Sequence, residues 1–230
     1  MMLYIHTRLE EKQLISDCVF WAESQIQKKE MAKSDPPEVV ELFEIIESLM
    51  PTAISFNDVI VRSAGTKYAN EDDFLTGNGA ARLGGRWNPK GINAVYGSTD
   101  ILTATFEAYQ GFIDAGFSLS SLKPRVTAGA NVSLESVFDL TDGAIRRSIG
   151  FSLDDLLDED WHAIQMSGDE SWTQAIGRGC FESGFEGILV ASARKRDGTN
   201  LIVFPDSMDA GSSFKILGES ELPPHPANWP

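Results

Sequence analysis

Five side chains in this sequence have the types and the order needed to handle an anionic ligand that carries a sugar: Arg62, Arg86, Tyr96, Glu107 and Ser192. Arginine presents a planar fork of donors that pairs bidentately with phosphate. Arg62 lies near the end of the β-branched run Asp58–Ser63 (DVIVRS), and Arg86 follows the glycine pair Gly84–Gly85, where a ligand or a neighbouring strand can approach the backbone closely. Tyr96 offers a hydroxyl and an aromatic face on which a planar heterocycle can stack. Glu107 offers a carboxylate, the group that stabilises the oxocarbenium-like state through which a glycosidic bond breaks. When the leaving group is a pyridinium, no proton need be donated to it, and one carboxylate suffices. Ser192, at the end of an apolar run, can hydrogen-bond a ribose or an amide. Each residue taken alone has a bland reading: an arginine stacked on Trp87, a half-buried strand tyrosine, a solvent-facing helix glutamate, a strand-end turn serine.

The stretch Gly84–Glu107 (GGRWNPKGINAVYGSTDILTATFE) delivers three of the five from a loop, a strand and a helix that are close in sequence. Ala94–Tyr96 reads as a short strand. Ser98, Thr99 and Asp100 offer N-caps for a helix from about Asp100 to Ala115, with Leu102, Phe106, Tyr109 and Ile113 on its apolar face. The i±3 and i±4 neighbours of Glu107 are Thr103, Ala104, Gln110 and Gly111, all small or polar, which leaves room for a ligand.

The flanking elements follow from periodicity and punctuation. Residues 1–50 read as helical, with Leu9, Leu14, Ile15, Cys18, Val19, Ala22 and Ile26 near a 3.6-residue period. A second helix starts at Pro36–Pro37 and is ended by Pro51. Ala64–Ala81 reads as a long polar loop. Strands are expected over Asp58–Ser63, Arg125–Leu134, Ser136–Leu140, Glu186–Ala191 and Asn200–Phe204, with Phe214–Leu217 as an edge strand. Helices are expected over Ser152–Asp160 and Ser171–Ser183, the latter closed by Gly184, with a helical turn over Thr141–Arg147. The proline-rich tail from Leu222 reads as irregular. Strands and helices do not alternate steadily, so the class is α+β. The division is an N-terminal helical extension over 1–50 and a domain over 51–230 with its core at about 58–206.

Composition excludes several classes. The 230 residues carry 19 basic and 34 acidic side chains, a net charge of −15, which repels phosphate backbones and argues against direct nucleic-acid binding. A basic protein partner is compatible with it. Two cysteines without a CxxC pair and three scattered histidines provide neither a disulfide framework nor a metal-ligand spacing, so no metal is expected. The N-terminal stretch has no long apolar run, which implies no membrane span and a reducing, cytoplasmic setting.

Taken together, the blocks GAARLGGRWNPKG (79–91), AVYGS (94–98), DEDW (158–161) and GFEGILVASAR…GTNLIVFP, with Glu107 eleven positions after Tyr96, resemble the RES domain family, named for its arginine, glutamate and serine. The resemblance spans roughly Asp58–Asp206. It implies an ADP-ribosyltransferase-like core and a toxin of a type II toxin–antitoxin pair that acts on NAD+. The activities it implies are NAD+ degradation by water or phosphate, or ADP-ribose transfer to a protein such as an enzyme of nucleotide biosynthesis. The partner it implies is an antitoxin with an Xre-like helix-turn-helix region. A non-catalytic NAD-binding module is the remaining alternative. Carried across, Arg62 and Arg86 would hold pyrophosphate or ribose, and Tyr96 would pack near the nicotinamide. Glu107 would orient the ribose and stabilise its cationic transition state, and Ser192 would add a polar contact. Some members of the family have a tyrosine directly after the first arginine, where this chain has Ser63.

Overall fold

The computed structural model describes residues 35–114, 116, 118 and 123–224. The helix expected over Leu9–Ile26 and the end of the proline-rich tail lie outside the described residues. The chain divides into two compact units, residues 1–41 and 42–230. Helix α1 (Pro37–Ser48) crosses that boundary and begins at the proline, as the pattern predicts.

The second unit is built on six strands: β1 (Ile54–Gly65), β2 (Val95–Ser98), β3 (Arg125–Asp139), β4 (Gly187–Ala191), β5 (Thr199–Val203) and β6 (Ser213–Ile216). β1 and β3 form a long antiparallel ladder from Gly65 opposite Arg125 to Ile54 opposite Val137, with a register slip between Ile54 and Phe56. The far end of β3 runs parallel to β4, Val137 facing Gly187. β4 and β5 form the expected antiparallel pair. β5 pairs with β2, and β2 returns to β1 where Ser98 meets Val61. Five strands thus close a ring, which leaves few open edges. β6 adds to β3 beside it, Ala130 facing Ile216. Ile60, Val95, Val132, Leu134, Val137, Leu201 and Val203 are buried together in its core.

Helices punctuate the ring: α2 (Glu71–Leu75), α3 (Asn78–Leu83), α4 (Ile101–Asp114), α5 (Gly143–Ser148), α6 (Leu153–Asp158), α7 (Trp161–Ser167) and α8 (Trp172–Ser183). Several starts follow local chemistry. Ser152 and Ser171 each form a reciprocal capping box, and Gly184 closes α8 in the left-handed conformation. Asp100, not Ser98, caps α4, its carboxylate accepting from Thr103 N at 2.9 Å. Ser98 is instead the last residue of β2.

Two expectations change. The two strands expected over Arg125–Leu134 and Ser136–Leu140 are one continuous strand. The polar stretch around Glu135 suggested a break, but the fully buried Glu186 carboxylate accepts from the backbone of Glu135 (2.6 Å) and Ser136 (3.1 Å) and holds it extended. The long loop expected over Ala64–Ala81 contains α2, capped by Asn70, and the start of α3. Helices this short show no apolar period. Among the described residues no helix is long and apolar enough to cross a membrane.

Candidate active site

The loop Gly84–Asn93 is fixed from below by one buried side chain. Asn88 donates from Nδ2 to the carbonyls of Ala80, Pro89 and Ile92, each at 3.1 Å, while its Oδ1 accepts from Tyr96 Oη at 2.7 Å. The Tyr96 oxygen in turn accepts from Trp87 N at 2.9 Å. The tyrosine hydroxyl is therefore committed to holding the loop, and burial pushes its pKa up, so it stays protonated. Its ring remains as a wall.

From the other side α7 and α8 clamp the same loop. Gln174 donates to Gly85 O at 3.0 Å and to Gln165 Oε1 at 2.7 Å, and Gln165 donates to Leu83 O at 3.0 Å. A Cβ on Gly177 would lie 1.8 Å from Trp87 O, so only glycine lets α8 pack this closely. Glu159, from the DEDW block, accepts from the first amides of α8, Trp172 N at 2.7 Å and Thr173 N at 2.9 Å. Arg86 extends from this clamped loop and donates to Leu156 O at 2.8 Å. Partial burial lowers its pKa, and Glu159 opposes that shift.

Glu107 stands exposed on α4, and its Oε1 is held twice. Ser192 Oγ donates to it at 2.6 Å and Asn200 Nδ2 at 2.7 Å. Both partners are themselves fixed. Ser192 Oγ accepts from Arg194 N (3.1 Å) and Lys195 N (3.0 Å), and Asn200 Oδ1 accepts from Ser98 Oγ at 2.7 Å. Among the described residues Oε2 takes no hydrogen bond. Ser192 is only 6% exposed, so it acts through the carboxylate from behind.

Two lobes of one cleft meet at this carboxylate. The larger, about 470 Å³, is walled by Leu83, Arg86, Trp87, Leu157, Trp161 and Arg194 among others. The smaller, about 220 Å³, is walled by Arg62, Ser63, Gly97, Ala104, Ala108 and Arg125 among others. Among the described residues Tyr96, Glu107 and Asn200 line both. The two predicted arginines are therefore in different lobes.

Arg62 is unusual. Its Nε and Nη1 are buried with no hydrogen-bond partner, and Nη2 reaches Asp73 O only at 3.5 Å. Its guanidinium lies 5.6 Å from the Phe74 ring centroid. Burial first and the Arg125 charge second push its pKa down to about 10, against the opposing pull of Asp73, and it remains a cation at neutral pH. Arg125 is held beside it, Nε donating to Ser63 Oγ at 2.9 Å and Nη2 to Ser63 O at 2.6 Å.

Sequence reasoning did not single out Asn200 or Arg125 as site residues, and it read Ser98 only as a candidate helix N-cap. Ser98 and Asn200 stand opposite each other on paired strands, a proximity fixed by register rather than by any motif. Arg125 faces Gly65 across the β1–β3 ladder, sixty residues away, and nothing local marks it. Among the described residues no group of three or more His, Cys, Asp or Glu side chains is placed to hold a metal ion.

Comparison with known proteins places the chain in a family and shows a related fold. The profile described as the RES domain matches residues 59–225. Proteins named NAD(+) phosphorylase MbcT from Mycobacterium bovis and Mycobacterium tuberculosis are 28% identical to this chain over 138 residues, covering 57% of it. The match spans 66% of those relatives' own length, just under two thirds. Among solved structures, the crystal structure of the M. tuberculosis MbcT–MbcA toxin–antitoxin complex matches at a TM-score of 0.60 and 23% identity, covering 76% of this chain and 88% of that one. That likeness establishes a shared fold.

Proposed function

Because the chain belongs to the RES domain family, we propose that it is the toxin of a toxin–antitoxin pair and that it cleaves the nicotinamide–ribose bond of NAD+. The observation that carries this reading is the Glu107 carboxylate, held through Oε1 by Ser192 and Asn200 and lining both lobes where they meet. The names of the relatives, NAD(+) phosphorylase, support the choice of substrate.

The chemistry asks little of the protein. As the glycosidic bond stretches, its electron pair moves onto the pyridinium nitrogen, and nicotinamide leaves neutral. Positive charge then accumulates on the ribose. A fixed carboxylate stabilises that charge without reorganising at the moment of reaction. Ser192 and Asn200 supply the fixing. Tyr96 walls the junction, and the larger lobe offers Trp87, Trp161 and Arg86 to the rings and phosphates of the dinucleotide. We read Ser192 as a positioning residue, since it is buried behind the carboxylate. The neutralising partner would be an antitoxin, which the toxin–antitoxin complex among the structural neighbours supports, and the family resemblance gives that antitoxin an Xre-like helix-turn-helix region.

Inducing the chain in growing bacteria tests the reading. NAD+ content is expected to fall before growth stops, and Glu107→Gln is expected to spare both. Growth arrest with an undiminished NAD+ pool would contradict NAD+ degradation. A single protein acquiring ADP-ribose in the same cells would assign the bond cleavage to a transferase instead.

A further inference from the structure

The smaller lobe has a chemistry of its own. Two arginines, Arg62 and Arg125, face one space of about 220 Å³, smaller than the roughly 300–1,000 Å³ usual for drug-sized ligands. Among the described residues no aromatic ring but Tyr96 at the junction lines it, and Gly97, Ala104 and Ala108 form smooth walls. Those residues offer a nucleobase or a nicotinamide ring little to stack on. The cationic pyridinium of NAD+ would be repelled by the two guanidiniums.

Three of the guanidinium nitrogens at the lobe lack an acceptor among the described residues. Arg62 Nε and Nη1 are buried and unpartnered, an arrangement that is costly unless an acceptor arrives. Arg125 is oriented by Ser63 through Nε and Nη2, which leaves its Nη1 without a protein acceptor among the described residues. The carboxylate beside Arg62 is that of Asp73, and it accepts from Asn70 Nδ2 at 2.7 Å; what it shares with Arg62 directly is only its long backbone contact. The lobe meets the aromatic lobe at Tyr96, Glu107 and Asn200. A nucleophile held by the two arginines would therefore sit beside the same carboxylate as a ribose bound from the larger lobe.

We propose that the smaller lobe is the acceptor-anion site, in which Arg62 and Arg125 hold orthophosphate for attack on the anomeric carbon of the nicotinamide ribose. This rests on the reading that NAD+ is cleaved at Glu107. An oxygen of phosphate forms the new bond to the anomeric carbon, the carbon–nitrogen bond breaks, and its electron pair neutralises the pyridinium. The products are nicotinamide and ADP-ribose 1″-phosphate. Nothing is oxidised, and no proton goes to the leaving group. The cationic ribose forms between the phosphate and Glu107, and the two guanidiniums offset the repulsion between those anions. Arg125 is thereby a specificity-determining residue, because it decides whether phosphate or water accepts the ADP-ribose.

The test uses the purified chain freed of any co-purifying partner, with NAD+ and orthophosphate varied independently and both products separated. Arg125→Met is expected to raise the KM for orthophosphate about tenfold or more, the usual consequence of losing a charge-assisted contact. The KM for NAD+ is expected to move far less, and the product to shift from ADP-ribose 1″-phosphate towards ADP-ribose. Arg125→Lys, which keeps the charge without the fork, is expected to recover part of the phosphate dependence. Equal rises in both KM values would overturn the proposal and give the lobe to the pyrophosphate of NAD+. Wild-type protein that releases nicotinamide with no dependence on phosphate would overturn it too, while leaving the proposed function standing. Wild-type protein that releases no nicotinamide at all would instead remove the proposed function. A measurement free of variants runs in parallel: orthophosphate titrated into the wild-type chain should move the NMR signals of the Arg62 and Arg125 Nε–H groups, and unmoved signals at saturating phosphate would overturn the site.

Discussion

Glu107 has one carboxylate oxygen tied, while the other takes no hydrogen bond among the described residues, and both ties come from residues far away in sequence. Ser192 and Asn200 donate to the same Oε1 within 0.1 Å of each other in length, 2.6 and 2.7 Å. Removing one donor leaves the other in place but lets the carboxylate rotate. Ser192→Ala and Asn200→Ala are each expected to lower the rate of nicotinamide release by about 10- to 100-fold, the scale on which small misplacements of a reacting group are felt. The double variant should lose less than the product of the two, because both act through one oxygen. Losses that multiply would mean the two residues act independently on the substrate. Ser192 was legible in the sequence through its family block, whereas Asn200 was not: an asparagine opening an apolar strand looks like a turn residue until strand register sets it beside Ser98. Arg62 and Arg86 were both legible as anion-binding candidates, but their placement in separate lobes depends on the ring of strands and on the clamped loop, which no local pattern encodes.

Glu186 does for the elements what Ser192 does for the site. It is fully buried, and its two oxygens accept from Glu135 N, Ser136 N and Asp209 N, tying the start of β4 to the middle of β3 and to the turn beyond β5. Burial alone would raise its pKa, but the nearby Ser212 hydroxyl and these amides outweigh burial and hold it below the usual carboxylate range. A depressed folded pKa means that its stabilisation is fully present above about pH 4.3, the ordinary glutamate value, and is lost as pH falls through the folded value. Glu186→Gln is therefore expected to cost about 1–3 kcal/mol at neutral pH, because its amide nitrogen cannot accept from the backbone amides that one carboxylate oxygen serves. The gap from wild type should narrow under acid. Urea unfolding of both proteins at pH 7 and pH 3 checks this, and a gap that stays constant would show that the charge is not what holds the elements. The same residue explains one limit of reading elements from sequence. β3 looked like two strands because its polar centre has no apolar partner, and the partner that sustains it is a carboxylate about fifty residues away. α2, α3 and α7 are five to seven residues long, too short for a helical period to emerge.

At the scale of the molecule, the charge of −15 coexists with a cleft that gathers Arg62, Arg86, Arg125 and Arg194. A net negative charge and a local arginine lining are compatible, because the lining sets the field that a small anion meets. The α+β class and most strands were legible because apolar runs and turn residues mark them. The closure of five strands into a ring was not, because it depends on a single contact region between β1 and β2. That closure brings the loop arginine, the strand tyrosine, the helix glutamate and the late serine to one cleft. The most direct measurement is nicotinamide release and the fate of label from NAD+ labelled on the adenylate phosphate, using purified protein freed of any partner. The account predicts release by the wild type, with label in ADP-ribose or its 1″-phosphate, and a rate lower by about 10²–10³ for folded Glu107→Gln, the usual cost of removing one preorganised electrostatic group. Folded wild-type protein that releases no nicotinamide, or a Glu107→Gln variant as fast as wild type, would contradict it.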